Sequence, residues 1–248
     1  MGEIAAGHVI NSSMVPDLWS QLAARADCSL DGTQQAKLSA YLDLLFAANQ
    51  RMNLTRLTDR PAAELGHIAD ALTVLPFLPA GPHRLADVGA GGGVPGIPLA
   101  IARPDVSVVL IESTQKKAAF LAEAAGELGL SNVQVIAQRA EEVAAGPLRE
   151  SFDVVVARAV GKLIWLAEWC VPLVKVGGSV LAMKGPRAAD ELPAAARALR
   201  LLGADQPVIH PVDLPGDLHH VIVQIPKTRP TDPRYPRHPT AAKGKPLV

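Results

Sequence analysis

Between Asp87 and Pro98 the chain reads DVGAGGGVPGIP, with the apolar run Arg84-Leu85-Ala86-Asp87-Val88 leading into it and an apolar helical pattern following it. A chain that turns this sharply from strand to helix needs positive φ and bare backbone, which glycine supplies without a Cβ penalty. Two registers are available. As GxGxxG the pattern uses Gly91, Gly93 and Gly96, which delays the first glycine beyond the strand end and puts Pro95 inside the turn. As an acid followed by GxGxG it uses Asp87, Gly89, Gly91 and Gly93 and begins where the strand stops. The second register fits better. Glu112 then closes the next strand, 23 positions beyond Gly89, where a carboxylate can accept hydrogen bonds from both hydroxyls of a ribose. Strand, loop, helix and distal acid in this order point to an adenosine-bearing cofactor. Nicotinamide dinucleotide enzymes use the same acid, so Glu112 alone does not choose among such cofactors.

The rest of the chain sets that loop in a sheet. Up to about residue 80 apolar positions such as Leu38, Tyr41, Leu42, Leu45 and Phe46 recur at helical spacing, with Asp31 or Thr33 available as a cap, so residues 1–80 read as a helical amino-terminal cap. Residues 81–226 alternate strand and helix: strands at 84–88, 106–112, 132–137, 152–158 and 177–184, and helices at about 114–128, 163–173 and 188–202. Such alternation implies right-handed crossovers and a parallel sheet. PVIHPVD at 207–213 and HHVIVQI at 219–225 are separated only by a short link containing PGDL, which predicts an antiparallel hairpin. The segment 227–248 is a basic, proline-rich tail carrying Lys227, Arg229, Arg234, Arg237, Lys243 and Lys245 against the single acid Asp232. Proline at this density predicts neither a helix nor a central strand there.

Lys+Arg and Asp+Glu both total 24, so net charge favours no partner and any charge signal has to be local. The two cysteines, Cys28 and Cys170, lie far apart with no ligand spacing around them, which excludes a disulfide framework and a zinc site; Cys170 reads as core. The amino-terminal segment has no basic region followed by an apolar run, and every apolar stretch is interrupted before it reaches the length of a membrane span. A soluble, cytoplasmic protein is expected.

Other polar residues fall at strand ends. Arg139-Ala140-Glu141-Glu142 follows the third strand, where a loop can cover an adenine ring. Arg158 ends the fourth, at the sheet edge where open α/β proteins bind ligands, and its guanidinium suits a carboxylate or a phosphate. His67 and Asp70 lie one helical turn apart, facing RNA or stabilising the helix as a pair. His219 and His220 adjoin on a strand, so their side chains diverge and packing is their default.

Five parallel strands closed by an antiparallel pair match the seven-stranded, Rossmann-like α/β arrangement of class I S-adenosylmethionine-dependent methyltransferases. The Asp87 register resembles the first motif of those enzymes. Taken with Met52-Asn53-Leu54-Thr55, His67-Ile68-Ala69-Asp70, DVGAGGGVPGIPLAI at 87–101, Glu112-Ser113, Lys116-Lys117, RAEE at 139–142, FDVVVARAV at 152–160, Lys184-Gly185 and the basic tail, the chain resembles the bacterial 16S ribosomal RNA guanine-N7 methyltransferases, also called glucose-inhibited division protein B. The resemblance implies S-adenosyl-L-methionine as cofactor and 16S ribosomal RNA, or the small ribosomal subunit, as partner. It implies that Asp87, Gly89, Gly91 and Val94 form the cofactor pocket, Glu112 holds the ribose, Ala140 and Glu141 frame the adenine, and Arg158 completes the site as a positioning group. No catalytic base is expected, no metal, and a monomer. The tail, with Arg51, Arg56 and Arg60, is expected to supply phosphate contacts, so that removing residues 227–248 weakens RNA binding and leaves cofactor affinity unchanged. A dehydrogenase is disfavoured because Tyr41 and Tyr235 both lie outside the predicted sheet, and a non-catalytic assembly factor is the remaining alternative.

Overall fold

The computed structural model describes residues 15–215, 219–242 and 244–247. The amino-terminal segment read for targeting signals, residues 216–218 of the PGDL link and Lys243 lie outside them. Five strands run parallel: β1 (Arg84–Val88), β2 (Ser107–Ile111), β3 (Val133–Ile136), β4 (Phe152–Arg158) and β5 (Val174–Lys184). β6 (Val208–Asp213) and β7 (His219–Pro226) close the sheet, with β7 antiparallel to both β5 and β6. The order across the sheet is β3-β2-β1-β4-β5-β7-β6, so the chain reverses direction next to β1, the strand that carries the glycine loop. Ligands of open α/β sheets bind in the crevice such a reversal leaves.

The strands are apolar on both faces because helices cover both. Along β2, Val108 and Leu110 enter one core while Val109 and Ile111 enter the other; along β4, Val154 and Val156 alternate in the same way with Val155 and Ala157. One face carries α1 (Val15–Ala24), α2 (Gly32–Asn49), a continuous helical segment, α5 (Gly96–Ala102) and α6 (Gln115–Glu127). That segment runs α3 (Arg60–Ala63), a π-helical turn at Glu64–Ala69, then α4 (Asp70–Leu72). The other face carries α7 (Ala140–Ala145), α8 (Leu163–Cys170) and α9 (Leu192–Leu202). Trp19, Leu38, Tyr41 and Leu42 share a core with Leu85, Leu110 and Val154, so the amino-terminal helices form a layer on the sheet with no core of their own. α2 starts as expected, at Asp31, in a reciprocal capping box with Gln34.

The tail departs from the sequence reading. It folds back onto the domain, meeting Glu168 of α8 and the carbonyls of Arg200 and Leu202 of α9, and includes a one-turn helix, α10 (Pro239–Ala242). Proline is tolerated at the first position of a helix because its missing N–H has no intrahelical partner there. Lys227 is 1% exposed, donating to Glu150 Oε1 at 2.7 Å and to the carbonyls of Val171 and Val174 at 3.0 and 2.7 Å. Arg237 forks onto the buried Glu168 carboxylate at 2.8 and 2.6 Å. Arg149 holds the backbone of Thr231, Asp232 and Tyr235. Two of the tail's cations therefore neutralise buried or half-buried acids of the domain. Replacing Lys227 with Met keeps the stem and leaves three acceptors short of a donor; urea unfolding of Lys227→Met is expected to show a loss of about 1–3 kcal/mol.

Candidate active site

β1 stops at Val88 and the backbone reverses at Gly89, whose φ of +71° an L side chain rarely adopts. Its N–H and that of Ala90 both donate to Ile111 O, at 2.9 and 3.2 Å, tying the bend to the end of β2. A Cβ on Gly96 would lie 2.3 Å from Leu110 Cδ2 and 2.7 Å from Asp87 Oδ2, so α5 meets β1 only because that residue has none. Both glycine registers thus carry meaning: Gly89, Gly91 and Gly93 take positive φ in the bend, and Gly96 seats the helix.

Three side chains pin the bend from three directions. Asp87 Oδ2 accepts from Gly96 N–H at 2.8 Å. Glu112, 6% exposed, accepts from Gly91 N–H at 3.0 Å and from Thr114 N–H at 2.7 Å. Tyr41, fully buried on α2, donates its phenol to Gly92 O at 2.7 Å. Burial pushes the Asp87 carboxyl up to about 7, against the pull of the Gly96 N–H and the Arg158 guanidinium. Its Oδ1 is buried with no hydrogen-bond partner.

Beside the bend a cleft of about 160 Å³ lies between Gly89, the ends of β1 and β2, the segment 138–141 and the indole of Trp169. Val160 forms part of the same wall, with its side chain 3.2 Å from the position a Cβ on Gly89 would take. A larger cavity of about 890 Å³ opens at the opposite, amino edge of the sheet, where Gln34 and Asn132 are already bonded to backbone carbonyls and Arg103 to Asp105. The smaller cleft is the one at the carboxyl edge, where ligands of such sheets sit.

On the amino-terminal side of the bend, Arg158 leaves the end of β4 and is clasped by the π-helical turn. Its Nη1 donates to Gly66 O at 2.7 Å and to Asp70 Oδ2 at 2.8 Å, and its Nη2 lies 3.2 Å from His67 Nδ1. Burial, reinforced by the Arg158 charge, lowers the His67 pKa to about 4, so the imidazole is neutral at neutral pH. Nδ1 also lies 3.1 Å from Gly66 O, and Nε2 lies 2.7 Å from Thr55 Oγ1. Burial pushes the Asp70 carboxyl up, but His220 and Arg158 outweigh it and hold it below the usual range. His220 Nε2 approaches Asp70 Oδ1 to 2.8 Å, an ion-pair distance without hydrogen-bond alignment. His67 and Asp70 make no hydrogen bond with each other; both are buried and both contact Arg158. His219 is exposed, as its divergence from His220 requires.

A family model described as rRNA small subunit methyltransferase G matches residues 34–216, which take in the bend, the cleft and the Arg158 cluster. The chain belongs to that family. It is 38% identical over 239 residues to the ribosomal RNA small subunit methyltransferase G of Lactobacillus delbrueckii subsp. bulgaricus, covering 94% of this chain and all of that one. It is 49% identical over 179 residues to the protein of the same name from Sorangium cellulosum, covering 71% of this chain and 75% of that one. Among solved structures it is similar in fold to a SAM dependent methyltransferase from Aquifex aeolicus, with a TM-score of 0.51 at 17% identity, over 70% of this chain and 96% of that one.

For this member of the rRNA small subunit methyltransferase G family, the structure brings Gly89, Ala140 and Glu141 together around the cleft. Gly91 and Glu112 adjoin it through their mutual hydrogen bond. Asp87 and Val94 are buried in the base of the bend, and neither is among the residues lining the cleft. Arg158 stands apart, within the His67–Asp70 cluster. Sequence reasoning missed Tyr41, whose position fits the buried stripe of α2, and Trp169, which looks like core on an apolar helix. No group of three or more potential metal-ligating side chains occurs among the described residues. Cys170 is fully buried, and burial pushes its thiol up, as a core cysteine requires.

The Asp87 pKa of about 7 lies above the roughly 3.9 of an unfolded aspartate, so between those values the native chain binds a proton that the unfolded chain has released. Stability conferred by the neutral carboxyl is therefore complete below about pH 4 and lost as pH rises through about 7. Asp87→Asn keeps an oxygen for Gly96 N–H and removes the ionisation. Urea unfolding across this range is expected to show a flatter pH slope for Asp87→Asn and a gain of about 1–3 kcal/mol above about pH 7.

Proposed function

We propose that this chain transfers the methyl group of S-adenosyl-L-methionine to N7 of a guanine in 16S ribosomal RNA of the small ribosomal subunit. The observation that carries the reading is the cleft joining Gly89 of the bend to Ala140 and Glu141, within a chain that belongs to the rRNA small subunit methyltransferase G family. Its size suits a purine ring, with the Trp169 indole and Val160 as apolar walls. Glu112 has one lone pair left on each oxygen after its two backbone contacts, and these would accept the ribose hydroxyls. The orphaned Asp87 Oδ1, buried under the bend, suits the ammonium of the cofactor's amino-acid end, and Arg158 suits its carboxylate.

When bound, S-adenosylmethionine supplies a methyl group on a positively charged sulfur, an electrophile that a neutral nitrogen can take directly. Guanine N7 carries a free lone pair in the neutral base, so this chain needs no general base. Its residues instead hold two reactants in line, a contribution worth roughly 7–11 kcal/mol. Tyr41, Glu112 and Asp87 keep the bend fixed, and Asp70, His67 and Gly66 O keep the Arg158 guanidinium in one orientation. No helix among the described residues is long and apolar enough to cross a membrane, and a ribosomal RNA substrate agrees with action in the cytoplasm.

The test is N7-methylguanosine mapping in 16S ribosomal RNA from cells with and without the protein. Loss of one modified guanine, restored by the wild-type chain, is expected; an unchanged set of modified guanines would refute the reading. Arg158→Ala is expected to lower transfer about 100-fold or more while far-UV circular dichroism is unchanged. Asp70→Asn, which keeps the guanidinium but frees it, is expected to fall between that variant and the wild type.

A further inference from the structure

The chain carries no net charge, so its affinity for a polyanion depends on where its unpaired cations lie. Pairing removes several from consideration. Arg60 binds Asp43 and Glu64, Lys184 binds Glu191, Lys227 and Arg237 are spent on Glu150 and Glu168, and Arg234 pairs with Asp232. Of the nine cations expected to contact phosphate, Arg60, Lys227, Arg234 and Arg237 are engaged with carboxylates of this chain.

Exposed cations without a carboxylate within ion-pair distance, among the described residues, include Arg25, Arg197, Arg200, Arg229 and Lys245 on other parts of the surface, and six more recur on the loops around the bend and the cleft. Arg51 and Arg56 flank Leu54, whose Cβ and carbonyl lie 3.6 and 3.7 Å from where a Cβ on Gly92 would sit. Asn49 fixes that loop by accepting from the N–H groups of Leu54 and Thr55. Lys116 stands in the first turn of α6, just after the end of β2. Arg139 follows β3 and lines the cleft, and Lys162 follows β4 as the residue capping α8. Arg187 follows β5, and its loop is joined to that of Lys162 by the Lys184 bond to Gly161 O at 2.6 Å. The exposed acids on these loops are few: Asp59 caps α3, Glu142 accepts from Arg139 N–H, and Asp190 stands free.

The recurrence follows from topology. In a parallel sheet each loop that leaves a strand emerges at the same edge, so Lys116, Arg139, Lys162 and Arg187 lie around the crevice, and Arg51 and Arg56 reach it on the loop after α2. We propose that the arc formed by Arg51, Arg56, Lys116, Arg139, Lys162 and Arg187 is the surface on which the RNA backbone docks, and that the basic tail is a structural strap with no share in it. The proposal rests on ribosomal RNA being the substrate. Phosphates seated on this arc bring a base to the mouth of the cleft, beside Val160 and Gly89.

Filter binding of 16S ribosomal RNA across a salt series tests it, with the full chain and two variants. The triple variant Lys116→Gln, Lys162→Gln, Arg187→Gln avoids the cleft. It is expected to reduce the slope of log affinity against log salt by about 2, to raise the KM for RNA about tenfold or more, and to leave the calorimetric affinity for S-adenosylmethionine unchanged. The tail variant Arg234→Gln, Lys245→Gln is expected to keep the wild-type slope. An unaltered slope in the triple variant, or a reduced one in the tail variant, would overturn the proposal. If the wild type binds RNA with the expected slope yet methylates no guanine, the methyl-transfer reading fails and the docking surface stands.

Discussion

A backbone bend that only glycine can make, fixed on three sides by buried side chains, is the constraint on which the rest of this molecule depends. Glu112 brings the end of β2 to Gly91, Asp87 brings α5 to β1, and Tyr41 brings the amino-terminal layer to Gly92. Each hydrogen bond spans elements from a different part of the chain. The bend can therefore keep its shape with no ligand present, so that little ordering cost is left for binding. The Asp87 carboxyl, raised to about 7 by burial, shows that part of this arrangement is held against its own solvation preference. Such local destabilisation is common where a site is built for a ligand.

The amino-terminal helices belong to the same logic. They cover one face of the sheet, supply Tyr41 to the bend, and through the π-helical turn clasp Arg158 at the end of β4. π-turns often mark functional sites, because the extra residue frees a carbonyl and redirects side chains. Here Gly66 O, His67 and Asp70 all point at one guanidinium. Thr55 extends the network to the loop after α2, so the motifs at 52–55 and 67–70 meet around a residue some 90 positions away.

Much of the fold was legible because its signals are local. The β-run before Gly89, the alternation of strands with helices, and the short link before β7 each depend on neighbours within a dozen residues. The cleft was legible in part, since Gly89, Ala140 and Glu141 all follow strand ends and topology brings strand ends together. Contacts made across the chain were not. Nothing near Lys227 announces that it will be buried against Glu150 and two carbonyls, and a basic tail reads by composition as a solvated one. Tyr41 fits its helical stripe so well that its phenol had no separate signal, and the bond to Gly92 O depends on a packing partner 51 residues on. His67 and Asp70 read as a surface pair for the same reason: spacing on a helix fixes their shared face but not what that face meets.

On this reading the bend at Gly89 to Gly93 and its adjoining cleft accept a nucleoside bearing a sulfonium. Calorimetric titration of the ligand-free protein with S-adenosylmethionine, and in parallel with NAD, tests it most directly. Saturable one-to-one binding of S-adenosylmethionine with no heat from NAD is the predicted result. No binding of S-adenosylmethionine, or tighter binding of the dinucleotide, would contradict it.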